Sequence, residues 1–436
     1  DSRFGLEEGK CKGYPGHEIA EMALVRFYHA TGEERYLNLS RFFIDERGKQ
    51  PYYFDSEVDH KFTPKPGEAP LRHFYHQSHL PVRKQEEAVG HAVRAVYLYS
   101  GMADIARLTG DDSLLAACDT LWDNIANKKM YITGGIGSTN HGEAFTYAYD
   151  LPNDMAYAET CASIGLMFFA SKMLENEIDG RYADVMERAF YNTVLAGMQL
   201  DGKRFFYVNP LEVTPGISGV SPTHLHDLPA RPGWYACACC PPNAARLISS
   251  LGKYAYGENK DTAFCHLFAA GKVALSNGMR FFCKTEYPYG FTVRYEIEKG
   301  GNLAIRIPAY SPDFQLEING AALPEGSPSY RLERGYVWLK VKDNDVITLT
   351  LDDAPYFVYA SSKIPQLTGK AALCRGPLVY CFEGTDNGGD VLSLSIGNAQ
   401  RDGKIPVPVP ESEKAALKEG LPENAVVLSL DAERKA

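Results

Sequence analysis

The sequence predicts an α+β chain of several domains, in which helical hairpins forming part of an (α/α)6 barrel are followed by a β-sandwich. Two periodicities and one recurring punctuation mark carry this reading. Through roughly the first 258 residues apolar positions recur with helical spacing. From Gln85 to Leu108, for example, Ala88, Val89, Ala92, Val93, Val96 and Tyr97 form one buried stripe, with His91 beside it. Leu24, Phe27 and Tyr28 repeat the pattern earlier. Glycine then ends helices before a charged turn opens the next one, at Thr31-Gly32-Glu33, Thr109-Gly110-Asp111 and more loosely Asp179-Gly180-Arg181. That is the mark of an αα-hairpin, with glycine as the helix C-cap. Three hairpins, with a further helix opening at Pro241-Pro242-Asn243, give about seven helices. A toroid of six hairpins needs twelve, so such an architecture is expected to draw helices from upstream of Asp1.

After Gly257 the period falls to two. Phe291 to Ile297, Leu303 to Ile307, Tyr336 to Val341, Val346 to Leu351 and Leu378 to Phe382 alternate or are rich in β-branched residues, and Asn319-Gly320 is a hairpin turn signal. The expected divisions are therefore a helical part over 1–258, a β-sandwich over 259–400, and a connector with a charged tail over 401–436. Proline alternates through Ile405 to Pro410 and cannot pair within a sheet centre, which makes that stretch an extended connector.

A hydrophobic content of 45% with 12% aromatics supports real cores rather than disorder. The net charge of -10 without a basic run argues against nucleic acid or an anionic membrane as partner. No run approaches the roughly eighteen apolar residues that a membrane span requires. A small neutral or polar ligand suits the composition better. The chain starts at Asp1 with no visible signal peptide, so its targeting is not written in it.

Three of the ten cysteines fall within Cys237-Ala238-Cys239-Cys240. Such crowding belongs to metal or redox chemistry more often than to disulfide frameworks. Cys118, Cys265, Cys283, Cys374 and Cys381 sit among apolar residues and read as small buried hydrophobes. Zinc takes thiolate, imidazole and carboxylate ligands, and two short pairs, Glu159-Thr160-Cys161 and Cys239-Cys240, supply four of them. Residues two apart share a side only in extended chain, so the first pair implies a helix beginning near Cys161. Pro241-Pro242 places the second pair at another helix mouth. A closed structural knot and a catalytic centre fit this spacing equally well. The glycine-rich loop Thr133-Gly134-Gly135-Ile136-Gly137 lacks the lysine of a phosphate-binding loop. It runs on to Glu143, a carboxylate between glycine and apolar residues, where burial is expected to raise its pKa as a general acid requires. Phe74-Tyr75-His76-Gln77-Ser78-His79 adds histidines and aromatics suited to a sugar pocket.

Together Gly13-Tyr14-Pro15-Gly16-His17-Glu18, Gln77 to Arg94, the Ile132 to Glu143 loop, Asp150-Leu151-Pro152-Asn153, Glu159-Thr160-Cys161 and Trp234 to Asn243 resemble the β-L-arabinofuranosidase family of glycoside hydrolases. The likeness spans roughly residues 10 to 385. It implies an (α/α)6 barrel followed by β-sandwich domains, with family members extending upstream of Asp1. It also implies retaining hydrolysis of arabinose-containing glycosides, with Zn2+ held by Glu159, Cys161, Cys239 and Cys240, Cys239 as nucleophile, and Glu143 as acid/base. His17, His91 and Tyr207 would hold the sugar. A thiolate nucleophile needs reducing surroundings, which favours the cytoplasm. Hairpin faces left uncovered would promote a homo-oligomer. A non-catalytic zinc protein that binds carbohydrate is the competing expectation.

Overall fold

The computed structural model describes residues 2–57, 68–389 and 391–396, with the short stretches 407–408, 427–429 and 433–434. The chain divides into two compact units. One comprises Asp1–Ile178, Arg188–Ile248 and Ser361–Gln366; the other comprises Asp179–Glu187, Ser249–Ala360 and Leu367–Ala436.

The first unit is built from helical hairpins. Ala20–Thr31 turns into Glu34–Glu46, and Ala92–Thr109 turns into Asp112–Lys128. The glycines between them, Gly32 and Gly110, hold φ of 71° and 65°, the left-handed cap conformation that a side chain disfavours. At the other end of the second turn Asp111 accepts the Leu114 amide at 3.0 Å and caps the next helix. Ala92–Thr109 is buried nearly all round, because Ala20–Thr31 and Thr160–Asn176 both pack on it. Two glycines permit the close approach: a Cβ on Gly101 would stand 2.9 Å from Glu21 Cβ, and one on Gly165 2.5 Å from Val96. Tyr97 stacks on Phe168 across the second crossing.

Two expectations about the helices are corrected. The helix expected from Gln85 begins only at Ala92, with His91 as its N-cap. Gln77 explains the delay, since its amide holds the carbonyls of Val89 (2.8 Å) and His91 (3.3 Å) and competes with helical pairing there. Gly180 is not a C-cap either; it is the first residue of the helix Gly180–Ala189. Within the second unit its amide bonds the Arg334 carbonyl, and a Cβ would come within 3.2 Å of the Gly335 backbone.

The second unit carries the sheets. Six strands run in the order Ala321–Ala322, Gln315–Ile318, Val346–Thr350, Thr292–Lys299, Arg280–Thr285 and Gly271–Ala274. Five more run Tyr330–Glu333, Tyr336–Val341, Gly301–Arg306, Thr262–Cys265 and Tyr256–Glu258. Alternating burial along Thr292–Lys299 and the Tyr256–Phe281 ring contact of 5.7 Å show the two sheets sharing a core, as a sandwich does. Asn319 and Gly320, with φ of 53° and 77°, make the expected two-residue hairpin. Arg306 is fully buried between Asp184 and Glu187, so the helical segment Asp179–Glu187 is tied to this unit by charge. Pro355–Tyr359, Ala371–Arg375 and Leu378–Tyr380 form a further sheet. Most of the expected connector and tail lies outside the described residues; within it, Val407–Pro408 pairs with Leu428–Ser429.

Candidate active site and metal centre

Two helix mouths meet in the first unit. Glu159 precedes the helix Thr160–Asn176, and Cys240 opens the helix Cys240–Ser249, whose Asn243 amide bonds back to the Cys239 carbonyl at 3.2 Å. Helix N-termini favour negative charge, so thiolates and a carboxylate are well placed at both. Cys161 Sγ is 3.5 Å from Cys240 Sγ, Cys239 Sγ is 3.7 Å from Cys240 Sγ, and Glu159 Oε1 is 3.4 Å from Cys239 Sγ and 3.9 Å from Cys240 Sγ. The four donor atoms lie within 4.8 Å of one another and are able to hold a metal ion. Glu159, Cys161 and Cys240 are buried, while Cys239 is partly exposed. Hydrogen bonds from Cys161 and then Cys240 hold the Cys239 thiol well below its usual pKa, and the same contacts push Cys240 up. Burial pushes Glu159 well above the carboxylate range, and its Oε2 has no hydrogen-bond partner. Cys237 is exposed and falls outside the four-donor group.

Glu143 reaches this centre from a strained loop. Gly142 and Glu143 both have positive φ, 70° and 52°. Two short strands, Gly90–His91 and Ala144–Phe145, pair antiparallel and set His91 beside it. Buried Lys129 locks that pairing by donating to the carbonyls of Ala88 (2.8 Å) and Thr146 (2.7 Å). His91 Nδ1 accepts the Arg94 amide, so its Nε2 carries the proton toward Glu143 Oε2 at 2.8 Å. Glu143 Oε1 accepts from Tyr157 at 2.7 Å and Tyr207 at 3.1 Å. The two tyrosines are neighbours because segment 206–209 lies along segment 157–160, through the Thr160 amide on the Tyr207 carbonyl (2.9 Å) and the Asn209 amide on the Tyr157 carbonyl (3.1 Å). Glu143, His91 and Glu159 place one donor atom each within 4.8 Å of one another.

The raised Glu143 pKa expected from burial is corrected. The His91 hydrogen bond lowers it, burial opposes, and the Tyr157 bond helps settle the balance below the usual value. The glycine-rich loop serves packing: a Cβ on Gly134 would stand 2.6 Å from Ala189 Cα, and one on Gly135 2.8 Å from Ala158 Cβ. His17 is exposed, its ring 6.1 Å from that of Tyr97, with Arg94, His91 and Cys239 as electrostatic neighbours. His76 accepts from Arg94 at 3.2 Å. His79 stacks on Phe74 instead. Tyr157, Lys129 and Asn209 went unnoticed in the sequence, where Tyr157 stands between two alanines with nothing to mark it but its closeness to Glu159.

The first unit thus combines helical hairpins with a carboxylate beside a metal-competent thiol cluster. Residues 1–253 match the family described as β-L-arabinofuranosidase, GH127 catalytic domain, and residues 355–420 match the glycoside hydrolase family 127 C-terminal domain. The chain belongs to glycoside hydrolase family 127. It is 41% identical over 416 residues to a non-reducing end β-L-arabinofuranosidase of Bifidobacterium longum subsp. longum, an alignment covering 91% of this chain and 62% of that one. The crystal structure of a GH127 β-L-arabinofuranosidase from Geobacillus stearothermophilus T6 superposes with a TM-score of 0.85 at 45% identity, over 90% of this chain and 63% of the other. A second GH127 β-arabinofuranosidase gives a TM-score of 0.77 at 37% identity, over 90% and 60%. The chain thus spans less than two thirds of the length of these relatives. No helix among the described residues is long and apolar enough to cross a membrane.

Proposed function

We propose that the chain is a retaining glycoside hydrolase that releases L-arabinose from β-L-arabinofuranosides, with Cys239 as nucleophile, Glu143 as acid/base and zinc on Glu159, Cys161, Cys239 and Cys240. The observation that carries this reading is a single partly exposed thiol among three buried donors, with a hydrogen-bonded carboxylate beside them. The donor set fits the metal. Sulfurs about 2.3 Å from one tetrahedral ion stand about 3.8 Å apart, close to the separations of 3.5 and 3.7 Å found here. The orphaned Glu159 Oε2 marks a carboxylate whose burial calls for a cation. When bound, zinc keeps the thiols deprotonated and offsets the charge of Glu159.

The rest of the chemistry falls to the chain. With the sugar held by His17, His91 and Tyr207, Glu143 gives a proton to the leaving oxygen as Cys239 Sγ bonds the anomeric carbon and the glycosidic C–O bond breaks. In the second step Glu143, now a carboxylate, takes a proton from water. That water bonds the anomeric carbon, the S–C bond breaks, and the thiolate is restored with configuration retained. The resting Glu143 is already in the form this second step uses. Its acid form is reached when the bound glycoside displaces water and lost solvation raises its pKa. A thiolate nucleophile keeps its reactivity only where thiols stay reduced, which supports a reducing compartment such as the cytoplasm.

The test combines metal analysis of the purified chain with an electrophile shaped like β-L-arabinofuranose, followed by peptide mass mapping. One zinc per chain and a label on Cys239 alone are expected. A label on Glu143 would replace the thiol by a carboxylate nucleophile. Zinc and sugar binding without label or turnover would favour a carbohydrate-binding zinc protein.

A further inference from the structure

We propose that His226, backed by buried Asp227, is a positioning residue for Glu143, so that an irregular loop remote in sequence holds the proton-transfer carboxylate in place. This rests on the acid/base reading of Glu143. The turn that bears Glu143 is closed at its base by the paired Thr139 and Ala144 backbones (3.3 and 3.1 Å), but beyond them Asn140 and His141 are exposed, Glu143 sits at positive φ, and its own amide reaches the Asn140 carbonyl at 3.4 Å. Left alone, such a turn samples several conformations, and misplacement by about 1 Å costs on the order of 100-fold in rate.

His226 touches both arms that fix the carboxylate. Its Nδ1 lies 3.2 Å from the Asn140 side-chain amide, three residues before Glu143. Its ring lies 5.9 Å from that of Tyr157, whose hydroxyl donates to Glu143. Asp227 explains why this histidine is held: the carboxylate is fully buried, Oδ1 is 3.2 Å from His226 Nε2, and neither oxygen makes an aligned hydrogen bond. The Asn140 side-chain NH2 can only donate, so Nδ1 is the accepting nitrogen of His226 and a neutral ring carries its proton on Nε2, the nitrogen that faces Asp227. A second pair, His224 Nε2 and Asp154 Oδ2 at 3.5 Å, pins the same loop.

Hydrogen exchange and leaving-group dependence together test the assignment in the full chain. His226→Ala should speed amide exchange in residues 139–146 while the helices keep their protection. It should also lower kcat about 10-fold or more on an alkyl arabinofuranoside, but less than about 3-fold on a dinitrophenyl one, which needs little protonation. His226→Gln, which still offers an acceptor, should recover most of the alkyl activity. Asn140→Ala removes the same bond from an exposed position, and stands in if His226→Ala fails to fold. Unchanged exchange in 139–146 with Asn140→Ala, or with a folded His226→Ala, would overturn the proposal. Glu143→Gln is the control. If it shows no leaving-group dependence, the acid/base reading fails; if it does and the His226 and Asn140 variants do not, only the positioning role fails.

Discussion

Glu18 shows how one side chain serves both the site and the stability of the fold. It follows His17 in the Gly-Tyr-Pro-Gly-His-Glu segment and is fully buried, 2.8 Å from Arg47, which also bonds the carbonyls of Pro15 and His76. The guanidinium thereby ties together the two segments that carry His17 and His76. Burial outweighs Arg47 and raises the Glu18 pKa to about 7. Its folded form therefore holds a proton that the unfolded chain gives up near the ordinary value of 4.5, and the stability so gained is full below that value and lost as pH rises through about 7. Glu18→Gln should flatten the fall in unfolding temperature between pH 5 and 7.5 relative to the unaltered chain, measured by calorimetry in matched buffers. Parallel curves would mean that Glu18 is ionised throughout. Removing the partner is the harsher change. Arg47→Met leaves Glu18 and Glu21 buried without their cation, at an expected cost of about 3 to 5 kcal/mol by denaturant titration.

At the scale of elements, what could be read from sequence was whatever depends on near neighbours. The caps at Gly32 and Gly110, the Asn319-Gly320 hairpin and the helix mouths at Glu159 and Cys240 follow from local backbone rules, and all lie where expected. The sequence marks His91 and Glu143 as residues but not the setting of either. The helix start is fixed by Gln77, fourteen residues upstream of His91, and the Glu143 pKa by three hydroxyl or imidazole donors from separate segments. No periodicity reports such partners. The pairing of Gly90–His91 with Ala144–Phe145 depends on Gly90, whose φ is 70° and where a Cβ would stand 2.0 Å from the Phe74 carbonyl oxygen. Gly90→Ala should therefore destabilise the chain by more than about 1 kcal/mol and move His91 from Glu143. Loss of activity exceeding the loss of folded protein, measured on the same sample, is the expected signature. Gly110→Ala, strained by its left-handed φ but open to solvent and far from Glu143 in sequence, should cost stability without that excess.

At the scale of the whole molecule, the proposed zinc would join segments about eighty residues apart, since Cys161 and Cys240 are separated by 79 positions and Glu159 and Cys239 by 80. Between them run the helices Thr160–Asn176 and Gly180–Ala189 and the long irregular stretch that carries Tyr207 and His226. That irregular stretch is held by turn hydrogen bonds rather than by helix or strand ladders, and the ion would act as its clasp. Without the ion, three thiols and a carboxylate share one site with no cation to balance more than one negative charge. A ligand that binds only the folded chain stabilises it by about 2.7 kcal/mol at a hundredfold excess over Kd. For a unit of roughly 250 residues that corresponds to about 5 to 10 °C in unfolding temperature. Chelation should lower the unfolding temperature by at least this much, and equimolar zinc should restore it. The Cys161→Ser variant should show the lower value with or without zinc. Exchange should then rise first in residues 205–240, because that is the span the ion closes. An unfolding temperature indifferent to chelator, in a chain shown to contain zinc, would place the metal elsewhere than on these four residues.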